Sequence, residues 1–318
     1  MSAPVLTVTL NPAIDETVLL ERLRPGHVHR ALGVRFNAGG KGVNVASCLA
    51  DWGGDVTATG ILGADNAAAF ETLFTAKGIA DGFLRAPGET RTNIKLSHDG
   101  DTTDINLPGL SVSVELAAAA ADRAEALAGP GTLALLAGSL PEGLGDTFYA
   151  SLTTRLAARG ALVLLDTSGA PLKAALAGPV LPYALKPNRA ELEGFAGTSL
   201  TSDAALLAAA RGLIARGVTL VVVSLGAEGA LFVTRDAALR AALPALRVAS
   251  TVGAGDAMVA GLIAGLREHG GLQEERGLDR LARLSTAFAA GKLSRPGPNL
   301  PPRADVEALA AHVQLQPQ

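Results

Sequence analysis

Short uninterrupted apolar runs alternate with longer stretches of helical periodicity along most of the chain, and few folds accommodate that alternation. Val5–Leu10, Val56–Ile61, Leu133–Ala137, Leu162–Asp166, Ala184–Lys186 and Leu220–Ser224 read as strands. Between them, Val43–Trp52, Ala67–Lys77, Val114–Leu127, Thr147–Arg159, Arg189–Ala196 and Ala204–Arg216 read as helices, and Leu281–Lys292 and Asp305–Val313 add two more near the C-terminus. The strands are apolar throughout, so both faces of the sheet are expected to be covered. The pattern predicts an α/β fold with a doubly wound, mostly parallel sheet.

Two segments break the alternation. Residues 16–36 and 90–107 are more polar and partly alternating, and His98-Asp99-Gly100-Asp101 is a hairpin-turn signal. They predict a small antiparallel flap over the carboxyl ends of the parallel strands, where open α/β sheets bind ligands.

Composition narrows the partners. A net charge of −3 gives no reason to expect nucleic acid or an anionic membrane surface. Cys48 is the single cysteine, within an apolar helical run, and is expected in the core. The first residues lack the basic region of a signal peptide, and no apolar run reaches the length of a membrane span, so a soluble cytoplasmic protein is expected.

The chemistry concentrates at Thr251–Ala257, which read T-V-G-A-G-D-A ahead of the apolar run Ala257–Leu266. Two glycines let backbone amides converge, and a helix start presents unpaired N–H groups and partial positive charge to an anion. Asp256 at that start can serve as a base, and the pairing suggests phosphoryl transfer to a hydroxyl; a plain N-cap aspartate is the alternative. A dinucleotide fingerprint wants glycine where Met258 stands. No segment supplies a Walker A loop: Gly40-Lys41 is followed by Gly42 and Gly291-Lys292 by Leu293.

Further candidates lie near predicted strand ends. Gly39-Gly40-Lys41-Gly42-Val43-Asn44 allows close ligand approach, with Lys41 for a phosphate and Asn44 for sugar hydroxyls, or else forms a turn with a solvated lysine. Asp15 can grip sugar hydroxyls or form an Asx turn. Arg91, Asn93 and Lys95 share one strand face, suited to a phosphorylated substrate or simply a charged outer face. Ser139 can bond substrate or a turn. Asn188 and Glu191, three apart at a helix start, are hard-oxygen candidates for Mg²⁺ and equally a capping box. Ser224-Leu225-Gly226-Ala227-Glu228-Gly229 can form a glycine turn against an adenine or its phosphates.

A-G-G-K-G-V-N-V-A, G-S-L-P, K-P-N-x-x-E-L, V-S-L-G-A-E-G-A and S-T-V-G-A-G-D-A-M-V-A-G follow one another across nearly the whole chain. In this order they resemble the ribokinase-like carbohydrate kinases of the PfkB family. T-L-N-P-A-I-D and G-E-T-R-T-N-I-K-L resemble the branch holding 1-phosphofructokinase and tagatose-6-phosphate kinase.

The resemblance implies a single three-layer α/β/α kinase domain over residues 1–318 with a β lid, shared across a homodimer. It implies ATP as donor, Mg²⁺, and a sugar phosphate as acceptor; fructose 1-phosphate would give fructose 1,6-bisphosphate. Kinases of tagatose 6-phosphate or fructose 6-phosphate are the alternatives, and a non-catalytic sugar-phosphate sensor is a more distant one. By resemblance Asp256 is the base, and amides of Gly253, Ala254 and Gly255 stabilise the transferring phosphoryl. Lys186, Ser224–Gly229 and Thr251 fall to the nucleotide, and Asn188 and Glu191 to the metal. Asp15, Gly39, Gly40, Lys41, Asn44, Arg91, Asn93 and Ser139 fall to the sugar phosphate. One position departs: His29 stands in G-H-V-H-R where the family often has asparagine. A structural role is expected for it, with a pH-dependent contact as the alternative.

Overall fold

In a computed structural model, which describes residues 3–243, 253–268, 272, 276–295, 297 and 299–318, the chain forms two sheets. In chain order the strands are β1 (Val5–Thr9), β2 (Ala13–Leu19), β3 (Gly33–Gly39), β4 (Thr57–Gly63), β5 (Ala80–Asp81), β6 (Leu84–Ala86), β7 (Thr92–His98), β8 (Asp101–Ile105), β9 (Leu133–Ala137), β10 (Leu162–Asp166), β11 (Ala184–Leu185), β12 (Leu220–Ser224), β13 (Ala230–Val233), β14 (Ala238–Ala242) and β15 (Gln314–Pro317). The helices are α1 (Lys41–Asp51), α2 (Ala68–Lys77), α3 (Val114–Leu127), α4 (Phe148–Ala158), α5 (Gly169–Ala177), α6 (Arg189–Ala196), α7 (Asp203–Ala215), α8 (Ala254–Glu268), α9 (Gly277–Leu293) and α10 (Arg303–His312).

The large sheet runs β15-β14-β13-β12-β11-β10-β9-β1-β4-β5, with β6 also on β4. It is parallel from β12 to β5 and antiparallel from β12 to β15. Strand parity divides its side chains between two cores. Leu133, Leu135 and Ala137 of β9 face the layer of α1, α2, α8, α9 and α10, while Ala134 and Leu136 face the layer of α3 to α7. This is the three-layer arrangement that doubly apolar strands call for. Within one layer α8 lies tight against α9: a Cβ on Gly261 would sit 2.6 Å from Ser285 Cα, so only glycine admits that approach.

Strand β1 sits between β4 and β9, so the strand order reverses there, with β4 added on one side and β9 on the other, and a crevice opens at the carboxyl end. The small sheet, β3-β2-β7-β8, belongs to that end of the chain's path. Its two hairpins are antiparallel and the β2–β7 pair joining them is parallel. Asp99 (φ 49°) and Gly100 (φ 85°) turn the β7–β8 hairpin at the signal read from the sequence. Register gives this sheet two unlike faces. Asp15, Asn37, Asn93, Lys95 and Asp104 are cross-strand neighbours on one, and Val18, Val34, Phe36, Leu96 and Ile105 lie on the other.

Two features escape the periodicity. Helix α5 is short and opens in Gly-Ala-Pro, which looks like a loop until Pro171 is seen in the first turn, where a missing N–H costs nothing. Strands β13 to β15 are antiparallel additions, β15 being built from the polar tail residues Gln314–Pro317.

Candidate active site

The ends of β1 and β9 meet at the crevice, where Asn11 Nδ2 donates to Ser139 Oγ at 3.1 Å. Past this turn β2 carries Asp15 onto the polar face of the small sheet. Burial raises its carboxyl above the ordinary value, offset by Lys95 and an Asn93 hydrogen bond. Lys95 Nζ stands 3.8 Å from Asp15 and 3.2 Å from Asp104. Gly39, paired with Ala13, closes on the same carboxylate: a Cβ there would meet Asp15 Oδ2 at 2.9 Å. Arg91 is committed to backbone, donating to the carbonyls of Asn11 (3.1 Å), Leu107 (3.0 Å) and Pro12 (3.3 Å). It therefore braces the Asn11–Pro12 turn, while Asn93 Oδ1 accepts the amide of Leu107.

From Gly40 the chain enters α1, which brings Lys41 and Asn44 toward the first turn of α8. Asn44 Nδ2 donates to Asp256 Oδ2 at 2.8 Å, across 212 residues of sequence. Asp256 is buried, and burial first, then the Asp166 charge, pushes its carboxyl up to about 6 against the pull of Lys41, Asn44 and Lys186. The first hydrogen bond of α8 runs from Ala257 N–H to Gly253 C=O. The amides of Ala254, Gly255 and Asp256 consequently have no acceptor within the helix. Gly253 itself sits at φ 82°, a conformation that disfavours any side chain.

Asp166, the last residue of β10, organises the cations around this turn. Its Oδ1 accepts from Lys41 Nζ at 2.9 Å and lies 3.5 Å from Lys186 Nζ. Burial alone would raise its pKa, but Lys186 and Lys41 together hold it below the ordinary value. Its Oδ2 is buried without a hydrogen-bond partner. Lys186 also reaches the α8 turn, with Nζ 3.6 Å from the place a Cβ on Gly255 would take. The cluster thus carries two ammonium groups against one firmly ionised carboxylate, beside a second carboxyl poised near neutrality and three amides with no acceptor among the described residues. It suits a polyanion and a proton transfer at the same point.

The segments expected at the nucleotide are adjacent. Ser224 N–H donates to Pro187 C=O at 2.9 Å, and Asn188 bridges to Ser224. Leu225 N–H closes onto Gly229 C=O around the 3₁₀ turn Gly226–Glu228, which includes Ala227. The Glu228 carboxylate is drawn instead to Arg240, which also pairs with Asp203. Asn188 and Glu191 form a reciprocal capping box at α6, each bond 2.8 Å. Thr251 lies outside the described residues.

Asp166 was not among the candidates read from the sequence, although the signal was there: an acid closing the apolar run L-V-L-L at the ligand-binding end of a strand. Asn11, two residues past β1, carried a similar signal. Cys48 is buried as expected, its thiol pushed up to about 12. His29 Nε2 accepts the amide of Arg24 at 2.9 Å, a bond internal to its own loop. Among the described residues, no group of three or more His, Cys, Asp or Glu could hold a metal ion, and no helix is long and apolar enough to cross a membrane.

A 1-phosphofructokinase of Xanthomonas campestris pv. campestris is 55% identical over 297 residues, covering 92% of each chain. One of Rhodobacter capsulatus is 46% identical over 321 residues, covering 99% of this chain and 98% of that one. Among solved structures, phosphofructokinase-2 of Escherichia coli in complex with potassium superposes with a TM-score of 0.89 at 26% identity, over 98% of this chain and 99% of that one. Residues 8–304 match the pfkB family carbohydrate kinases, and the chain belongs to that family.

Proposed function

We propose that the protein transfers the γ-phosphoryl group of ATP to fructose 1-phosphate, giving fructose 1,6-bisphosphate. The observation that carries this reading is Asp256: a buried carboxyl near pKa 6, fixed by Asn44 in the first turn of a helix whose leading amides have no acceptor within the helix. Asp256 accepts the proton of the sugar hydroxyl as the phosphoryl group arrives. Amides of Gly253, Ala254 and Gly255 meet the charge on that group. Lys186 meets the nucleotide phosphates, and Ser224–Gly229 hold the nucleotide. Thr251 is assigned to the nucleotide by sequence alone.

Asp15, Gly39, Gly40, Asn44, Asn93 and Ser139 bind the sugar, with Asn11 beside Ser139. Arg91 and Lys41 serve its phosphate, Arg91 through the turn that it braces. When bound with the donor, Mg²⁺ would supply positive charge against the nucleotide phosphates. Glu191 would hold it through the carboxylate oxygen not used in the capping box, with Asn188, whose Oδ1 accepts the Glu191 amide, fixing that carboxylate in place. The small sheet acts as a lid that excludes water. Its outer face exposes Phe36 (63%), Val34 (46%) and Ile105 (43%), with Val28 and Leu32 in the loop beside them. Such a face is suited to pairing with a second copy, so the working protein is a cytoplasmic homodimer joined through its lids.

The test is a panel of fructose 1-phosphate, fructose 6-phosphate and tagatose 6-phosphate assayed by ADP release. Fructose 1-phosphate is expected to give the highest kcat/KM. A higher value for either other sugar phosphate reassigns the acceptor, and no sugar-dependent ADP from any of them overturns the kinase reading.

A further inference from the structure

Lys292, in the last turn of α9, is a buried cation that the chemistry above leaves unused. It is 3% exposed. It lies directly against the glycine that begins the α8 turn: a Cβ on Gly253 would meet Lys292 Cε at 3.3 Å and Nζ at 3.9 Å. Its ammonium donates to the Arg295 carbonyl at 3.1 Å, and among the described residues it has no other hydrogen bond and no ion pair. Burial draws its pKa down, against the Cys48 and Asp256 charges. Cys48, from α1, keeps its proton at neutral pH, so of these two only Asp256 carries charge there.

An ammonium held out of water with donors to spare is costly to a fold. A methionine of similar length would pack against Gly253 without that cost. The charge itself therefore calls for a use, and the nearest one is the anion that α8 receives. Lys292 approaches the turn from α9, whereas Lys41 approaches from α1 and Lys186 follows β11, both tied to Asp166.

We propose that Lys292 is a positioning residue for phosphoryl transfer, holding the Gly253 turn and adding a fixed positive charge behind the amides of Ala254, Gly255 and Asp256. This rests on the kinase reading above. If a phosphoryl group on this turn lay about 8 Å from the ammonium, a unit charge at an effective dielectric near 20 would be worth roughly 30-fold in rate.

The experiment compares wild type, Lys292→Met and Lys292→Ala, with melting curves to establish folding. Lys292→Met is expected to lower kcat about 30-fold while KM for fructose 1-phosphate stays within about threefold. The acid limb of its pH–rate profile is expected to move up, because Asp256 then ionises beside Asp166, Lys41 and Lys186 alone. Lys292→Ala is expected to regain activity with methylammonium chloride and not with tetramethylammonium chloride. A folded Lys292→Met within threefold of wild-type kcat overturns the proposal, and so does a loss in Lys292→Ala that methylammonium leaves untouched. Should Lys292→Met not fold, the methylammonium comparison on Lys292→Ala decides. If wild type itself turns over no sugar phosphate, the kinase reading is what fails. Calorimetric binding of inorganic phosphate then judges Lys292: weaker in Lys292→Met supports the charge behind the turn, and equal binding overturns it.

Discussion

Replacing Asp256 by asparagine should inactivate the protein and stabilise it at the same time. An unperturbed aspartate titrates at 3.8, whereas the buried carboxyl of Asp256 is pushed up to about 6. Each pKa unit corresponds to about 1.4 kcal/mol, so ionising this group costs the folded state about 3 kcal/mol relative to the unfolded chain. Between pH 4 and 6, roughly, the folded protein keeps a proton that the unfolded chain has released, so stability falls as pH rises through that window and levels off above it. Asp256→Asn carries no charge to desolvate, and its amide oxygen can still accept from Asn44. At pH 8 it should therefore be the more stable protein by about 3 kcal/mol, and near pH 4 the difference should vanish. For 318 residues, with an unfolding entropy of about 2.1 cal/mol/K per residue, that is a rise in Tm of about 4 °C at pH 8. Turnover should drop by about 10²- to 10⁴-fold, the usual contribution of a positioned general base, with nucleotide binding retained. Melting curves across pH and coupled ADP-release kinetics read both halves. Near-normal turnover would remove Asp256 from the base role, and a variant less stable than wild type at pH 8 would refute the electrostatic account.

Asn44→Leu deletes a hydrogen bond that favours the charged form of Asp256, so the acid limb of the kcat profile should move upward from about pH 6; an unmoved limb contradicts the link. Asp166→Asn leaves Lys41 and Lys186 facing each other without their shared carboxylate and should cost about 3 kcal/mol in urea unfolding, beyond any loss of activity. Arg91→Ala releases the Asn11–Pro12 turn and should raise KM for the sugar phosphate more than for ATP; equal effects on both would sever the turn from sugar binding. Phe36→Asp places a charge on the exposed lid face and should shift the protein toward monomer in sedimentation velocity, whereas an unchanged sedimentation coefficient would rule out assembly through that face.

Much of the central sheet could be read from sequence because its strands are buried on both faces. Leu133–Ala137, Leu162–Asp166 and Leu220–Ser224 appear in the structure with the bounds their apolar runs suggested. The added edge escaped because β15 is polar and its strand character comes from pairing with β14, a contact between distant segments. At the site, the residues announced by glycine-rich turns came together, Asn44 with Asp256 most directly. Asp166 stayed hidden for a different reason: a lone acid has no local pattern, and its meaning lies in Lys41 and Lys186, 125 residues before it and 20 after. The Glu228 carboxylate went the other way. Its neighbours form the expected turn, but the geometry of β14 offered Arg240 as a partner.

The two-faced character of the small sheet restricts how the chain can change length. Along β2 and β7, adjacent residues point to opposite sides, so inserting or deleting one residue inside either strand would exchange the faces of the residues beyond it, trading Asp15, Asn93 and Lys95 for the apolar Val18 and Leu96. The stretch between β2 and β3, residues 20–32, has no such parity to preserve. Among relatives, insertions and deletions should gather in that stretch and avoid both strands, leaving the frame of the polar face fixed while the loop beside it drifts.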